Sequence, residues 1–213
     1  MTKCIEDIRV LGLTGGMGSG KSTVSRILRE LGWRLVDADE VTRALHGDCE
    51  ICRAIERAFG EDAILFKDGR SMVNRRVLAQ RAFASPEAVS QLNAIMRPAL
   101  EREVRLRLTS APGRVVLDAA LLFEAGWETW CDASVVVVCP ESWRVVRICV
   151  RDGVDAEAAR ARLRHQMRDD ERLRRADLIF YNTGSAARLE RQVKRVFALP
   201  ADEEGRRMEA LPT

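Results

Sequence analysis

The sequence predicts a three-layer α/β fold, a parallel sheet covered by helices on both faces. Short runs of apolar residues without alternation recur along the chain, a pattern that suits strands buried on both sides. Helical segments separate these runs, as the crossovers of a parallel sheet require. The first run ends in a glycine cluster that opens directly into a helical pattern.

Residues 8–13 form that first β-rich run. After the glycines, Val24, Ile27, Leu28 and Leu31 share one face of a helix over 23–31, and Gly32 suits its C′ position. Residues 33–36 predict a second strand that closes at Asp37-Ala38-Asp39. Residues 49–108 carry no strong strand; helical patterns cover 51–59, 75–83 and 87–108, the last interrupted at Pro98. A third strand over 115–117 leads into Asp118, a nearly all-valine fourth covers 134–139, and 178–181 is a weaker fifth. Residues 155–176 are helical and arginine-dense. The expected organisation is one domain over 1–200. Its core is 8–48 and 112–198, a helical insertion spans about 49–111, and a polar tail at 201–213 frays. No repeat, low-complexity tract or linker divides it.

The 213 residues suffice for one good-sized core, and 46% hydrophobic against 31% charged residues argues against extensive disorder. The net charge of +3 does not demand a polyanionic partner, although 35 Lys and Arg leave positive charge to concentrate around phosphates. No basic stretch followed by a long apolar one opens the chain, and its longest aliphatic run, Val135 to Val138, is too short to span a bilayer. The six cysteines form no disulfide-like framework and read as reduced core thiols, so the cytoplasm is the expected compartment, without a membrane partner.

Gly15-Gly16-Met17-Gly18-Ser19-Gly20-Lys21-Ser22, followed by Thr23, matches the Walker A pattern between a strand and a helix, the context that motif requires. Its four fixed positions would fall by chance in roughly one chain in a hundred of this length. Glycines let successive N–H groups converge on a phosphate, and the following helix directs its positive end at the same anion. Lys21 then reaches the β- and γ-phosphates of ATP, and the Ser22 hydroxyl completes Mg²⁺ coordination. The fold class is therefore a P-loop NTPase fold. The helical insertion becomes an acceptor lobe, and an arginine-bearing segment over about 147–175 becomes a lid.

Asp37 and Asp39 lie where open α/β sheets place ligands. As alternate residues of an extended segment both would face the cleft, where a carboxylate accepts a hydroxyl proton or binds Mg²⁺ through water; the competing reading is helix capping. Arg43, four residues on, pairs with Asp39 or holds acceptor phosphate. Asp118 resembles a Walker B carboxylate, although four apolar residues and an Asp are common. Arg147 and Arg151 recur at helical spacing and are the candidate charge stabilisers of a lid, against the reading of a solvated face. No aromatic residue lies between Trp143 and Phe180, so nucleic-acid stacking platforms are absent. The pair Cys49 and Cys52, with His46 nearby, is a weak metal signal without a second pair.

These residues resemble the dephospho-coenzyme A kinase family over about 8–197. The most specific matches are the run from Gly12 to Thr23 and Asp37-Ala38-Asp39 followed by Arg43. Supporting ones are Phe59-Gly60, Asp68-Gly69 with Asn74-Arg75, Leu92-Asn93 before Pro98, and Leu121-Leu122-Phe123-Glu124. Further along come Arg147 with Arg151-Asp152-Gly153, Gln166-Met167, and Ala176-Asp177 with Asn182 and Gly184. The resemblance implies transfer of the ATP γ-phosphate to the ribose 3′-hydroxyl of dephospho-coenzyme A, the last step of coenzyme A synthesis. It makes Asp39 the base or orienter of that hydroxyl, beside Lys21 and Arg147 as catalytic groups. It places Thr14, Asp37, Asp39, Arg43, Arg75, Leu121 and Arg151 at the acceptor.

Four positions depart from the family pattern: Arg97 for the His of His-Pro, Ala120 for Pro, Arg144 for Gln, and Tyr181 for an acidic residue. The expectation is that the changes at 97 and 144 alter acceptor contacts and leave the phosphate machinery untouched. Two other readings stay open. One is a nucleoside or nucleotide kinase of the same build. The other is a nucleotide-dependent switch, although a guanine-reading Asn-Lys-x-Asp is missing. Both a monomer and a weak homo-oligomer are compatible with the sequence.

Overall fold

The computed structural model describes residues 5–67 and 69–198, so the tail expected at 201–213 lies outside the described residues. The chain opens into β1 (Val10–Thr14), crosses through the glycine loop into α1 (Lys21–Glu30), and returns as β2 (Arg34–Asp37). Gly32, at φ 86°, ends α1 in a Schellman motif: its N–H donates to the Arg29 carbonyl and that of Trp33 to Leu28, each at 3.0 Å.

Between β2 and the third sheet strand lies the insertion: α2 (Ala38–Leu45), α3 (Cys49–Phe59), β3 (Ile64–Lys67), β4 (Arg70–Val73), α4 (Arg75–Ala82) and α5 (Pro86–Ser110). The rest of the chain follows as β5 (Val115–Asp118), β6 (Ala133–Val138), α6 (Glu141–Asp152), α7 (Ala156–Arg164), α8 (Asp169–Arg175), β7 (Leu178–Tyr181) and α9 (Ala186–Phe197).

The main sheet has the order β2-β5-β1-β6-β7, and every pairing in it is parallel. Alternate residues of its strands point to opposite faces, and both faces are buried. Leu11, Leu13, Val116, Val135 and Val137 pack with Val24, Ile27 and Leu28 of α1 and Leu189, Val193 and Phe197 of α9. Val115, Leu117, Val136 and Val138 pack on the other side with Val104 and Leu108 of α5, Phe123 and Trp127. This two-sided burial is why the strands read as unbroken apolar runs. Burying each Val or Leu contributes about 1.5–3 kcal/mol, so the sheet is the rigid frame of the molecule.

The insertion departs from the expectation in two ways. It contains the antiparallel hairpin β3–β4, with Ile64 opposite Val73 and Lys67 opposite Arg70. The hairpin buries little beyond Val73, while Leu65, Phe66 and Met72 stay exposed, so no apolar stripe announces it. The readable signal is the Asp68-Gly69 dipeptide; Gly69 takes φ 74°, which a tight hairpin turn favours. Second, α5 is not interrupted at Pro98 but runs through it for 25 residues. The missing N–H costs about 3 kcal/mol, and burial on either side offsets it. Met96 and Ala99 join Ile51, Ile55, Phe59 and Leu78 in a separate core, while Val104 and Leu108 pack on the sheet.

The single helical stretch expected over 155–176 is two helices, α7 and α8, joined by residues 165–168. Met167 in this connection packs against the sheet core, which turns the chain out of the helical path.

Candidate active site

The glycine loop leaves the carboxyl end of β1, where Leu13 is in register with Asp118 of β5, and Asp118 in turn with Asp37 of β2. Three strand ends thus meet around the start of α1. The N-cap of α1 is Gly20 at φ 100°, and a Cβ there would sit 2.3 Å from Asn182 Nδ2, so both the backbone turn and the close approach exclude a side chain.

Three consecutive loop carbonyls are each held by a side chain. Arg144 Nε donates to Met17 O at 2.9 Å, Arg147 Nη1 to Gly18 O at 2.9 Å, and Asn182 Nδ2 to Ser19 O at 2.8 Å. A peptide plane carries its C=O and the next N–H on opposite sides. Fixing the Met17 and Ser19 oxygens therefore fixes the Gly18 and Gly20 N–H groups on the opposite side, next to the positive end of α1, while the Ser19 N–H donates to the Gly16 carbonyl at 3.0 Å within the loop.

The cleft has a volume of about 540 Å³, and its wall is formed by residues 15–23 with Asp39, Ala120, Arg147, Ile148, Arg151, Gln166, Asn182, Gly184, Ala186 and Leu189. Lys21 Nζ donates to Asp118 Oδ1, and Ser25 Oγ donates to Asp118 Oδ2 at 2.5 Å. Asp118 is buried, so the Walker B position expected from sequence is filled by a carboxylate that holds the loop lysine at the floor of the cleft.

A glycine loop, its lysine and the Asp39 carboxylate thus share one cleft wall, an arrangement suited to holding a polyphosphate next to an acidic group. The dephospho-CoA kinase family model matches residues 9–188. A dephospho-CoA kinase of Corynebacterium diphtheriae is 39% identical, over 89% of this chain and 96% of its own. One of Syntrophotalea carbinolica is 42% identical, over 89% and 90%. A crystal structure from Thermus thermophilus superposes with a TM-score of 0.76 at 36% identity, covering 89% of this chain and 96% of that one. The chain belongs to the dephospho-CoA kinase family. It is a kinase of the P-loop fold, with ATP as its phosphoryl donor.

The aspartates expected to share one extended face do not, because a helix begins between them. Asp37 is the N-cap of α2: its Oδ1 accepts from the N–H groups of Asp39 and Glu40 at 2.8 and 3.0 Å. Asp39 sits in the first turn of α2 and faces the cleft. Asp37→Ala is expected to cost about 1 kcal/mol of stability and Asp37→Ser much less, since serine also caps. Denaturant unfolding checks this, and an alanine variant as stable as the wild type would show the cap bonds to be idle.

Four of the other five expected acceptor residues lie outside the cleft wall. Thr14 is fully buried, its hydroxyl donating to the Ala120 carbonyl at 3.2 Å. Arg43 is exposed one turn beyond Asp39, and among the described residues no ion pair joins the two. Leu121 is exposed beside Ala120. Arg75 opens α4 in the insertion; burial, with the Arg75 charge added, holds His46 below the usual imidazole range. Arg151 does reach the wall, with its Nε on Asp152 Oδ1 at 2.7 Å. Hydrogen bonding from Arg151 holds the Asp152 carboxyl below its ordinary value.

The departures at 97 and 144 divide. Arg97 braces α5, donating to Glu101 Oε1 at 2.6 Å and to the Ala125 carbonyl at 3.1 Å. Arg144, expected to bear on the acceptor, touches the phosphate loop instead, which corrects the expectation that the phosphate machinery is untouched. Nothing local in the sequence marks it, because its partner lies 127 residues away. Asn182 directly follows β7, so its place at the carboxyl edge of the sheet was the available signal. Cys52 directs its thiol at the carbonyls of His46 and Ser71, and burial pushes that thiol up. Among the described residues no group of three or more His, Cys, Asp or Glu could hold a metal ion.

Proposed function

We propose that this enzyme transfers the γ-phosphate of ATP to the 3′-hydroxyl of dephospho-coenzyme A, giving coenzyme A and ADP. The observation that carries the residue assignment is the common wall shared by Lys21, Ser22 and Asp39. A hydroxyl lying beside Asp39 gives its proton to that carboxylate as its oxygen bonds to the γ-phosphorus, while the bond from phosphorus to the ADP oxygen breaks. Loop N–H groups and Lys21 hold the phosphates, and Arg147 and Arg151 balance the charge that spreads over the transferring group. The residues fit Mg²⁺, a hard cation that takes oxygen ligands: the Ser22 hydroxyl faces the cleft beside Lys21 and would hold it. Held there, it would supply positive charge against the phosphates.

In this reading, residues of about 49–111 hold the acceptor and those of about 147–175 close over ATP, shielding it from water until the acceptor arrives. Among the described residues no helix is long and apolar enough to cross a membrane, and we place the enzyme in the cytoplasm, acting on a small molecule rather than nucleic acid. An ADP-release assay across dephospho-coenzyme A, nucleosides and nucleoside monophosphates tests the assignment. Fastest turnover on dephospho-coenzyme A is expected. Faster turnover on a nucleoside monophosphate, or transfer to water alone, would overturn it.

A further inference from the structure

We propose that Arg144 is a positioning residue that ties the shape of the phosphate loop to the connection between α7 and α8. The inference rests on the reading of this loop as the ATP site. A guanidinium that is 6% exposed needs both hydrogen-bond partners and a counter-charge to be tolerated there. Arg144 has all of them. Besides Nε on Met17 O, its Nη1 donates to Asp169 Oδ2 at 2.8 Å and its Nη2 to Gln166 Oε1 at 3.3 Å. The same Gln166 oxygen accepts the Met17 N–H at 2.9 Å. Both backbone groups of one loop residue are therefore clasped, and the clasp closes on itself through Arg144 and Gln166.

The far side of the clasp is anchored as firmly as the near side. Asp169 opens α8 and also accepts from Arg172 Nη1 at 3.3 Å, and Arg172 is 1% exposed and donates to the Met167 carbonyl at 2.6 Å. The Met17 side chain adds an apolar anchor, packing against the cluster of Val145, Ile148 and Ala159 from α6 and α7. The guanidinium also packs closely on the loop: a Cβ on Gly16 would be 2.3 Å from Arg144 Nη2, a group held in place by several bonds.

The planar fork transmits position. If α7 and its following turn shift, Gln166 and Asp169 move together, and Met17 loses the partners of its N–H and C=O at once. The Met17 carbonyl shares a peptide plane with the Gly18 N–H, so loss of the grip frees a phosphate-facing donor to turn away. The acceptor lobe makes none of these contacts. Arg144 should thus govern affinity for ATP and leave affinity for the acceptor alone.

The test measures ATP binding by titration calorimetry and KM for dephospho-coenzyme A, on the full chain, for wild type, R144A, R144K and D169N, at a temperature where each is folded by circular dichroism. R144A is expected to weaken ATP binding by about tenfold or more, the scale of a lost charge-assisted hydrogen bond, with KM for the acceptor within about twofold of wild type. R144K, which keeps one charged donor but no fork, should fall between the two. D169N should weaken ATP binding in the same direction, although neither Asp169 nor Arg144 forms part of the cleft wall. Should R144A not fold, R144K and D169N carry the same comparison. ATP affinity unchanged in the folded variants, or ATP and acceptor affinity falling in parallel, would overturn the proposal. A wild-type protein that binds no ATP would instead sink the functional reading beneath it.

Discussion

Lys21→Met is expected to lower kcat/KM by about 10³-fold, while the variant stays folded. A single preorganised donor at a developing charge is worth about 10²–10³ in rate, and Lys21 supplies a full positive charge in place of a dipole. In the structure its ammonium is held by Asp118 at the cleft floor, so it stands ready before the nucleotide enters. Removing it has a second consequence. Asp118 is 6% exposed and would keep only the Ser25 hydroxyl, and leaving such a carboxylate short of a partner costs about 1–3 kcal/mol of stability. The double variant Lys21→Met with Asp118→Asn is therefore expected to recover most of that stability and none of the activity. Lys21→Arg keeps the charge on a rigid fork that the narrow loop is not shaped to take, so it should recover only a small part of the rate. Coupled ADP release and thermal melting on the same samples check both halves. A Lys21→Met enzyme within about tenfold of wild type would remove Lys21 from the phosphate site.

What the sequence disclosed, and what it hid, follows from how far each signal reaches along the chain. The valine run at Val135–Val138 and the loop from Gly15 to Ser22 are local patterns, and each is fixed by what its own neighbours bury or bind. The hairpin β3–β4 is also local, but its residues are mostly exposed, so hydrophobic patterning passes over it and only turn chemistry marks it. Pro98 misleads for the opposite reason: the local rule against proline in a helix is sound, and the packing of α5 on two separate cores overrides it. The residues that shape the phosphate loop are the least legible. Arg144 and Asn182 meet it across 127 and 163 residues, and neither carries a pattern that names its partner. One arginine in a dense run reads as a solvated surface until the fold buries it. Asp37 and Asp39 are both expected to face the cleft, with Asp39 the favoured base, and what parts them in the fold is the start of α2 between them.

That separation yields the other large effect. Asp39→Asn is expected to lower kcat by about 10²–10⁴-fold, the range for a positioned general base, and to change ATP affinity by no more than about threefold. Asparagine has nearly the same size, and the backbone N–H of residue 39 would still donate to Asp37 Oδ1, so α2 keeps its cap and the cleft its shape. What is lost is the ability to take a proton. Asp39→Glu restores that chemistry but moves the carboxylate by one methylene, and a displacement of about 1 Å can cost 10²-fold in rate, so glutamate is expected to rescue poorly. Stopped-flow measurement of the phosphoryl-transfer step, alongside ATP titration, separates these effects from product release. The Asp37→Ala variant supplies the contrast: its carboxylate is committed to the start of α2, so its loss should appear in stability first and in turnover only through a loosened Asp39. If Asp39→Asn turned over at a near-normal rate, the acceptor hydroxyl would have to lose its proton to solvent or to a phosphate oxygen, and the common wall of Lys21, Ser22 and Asp39 would be a binding surface only.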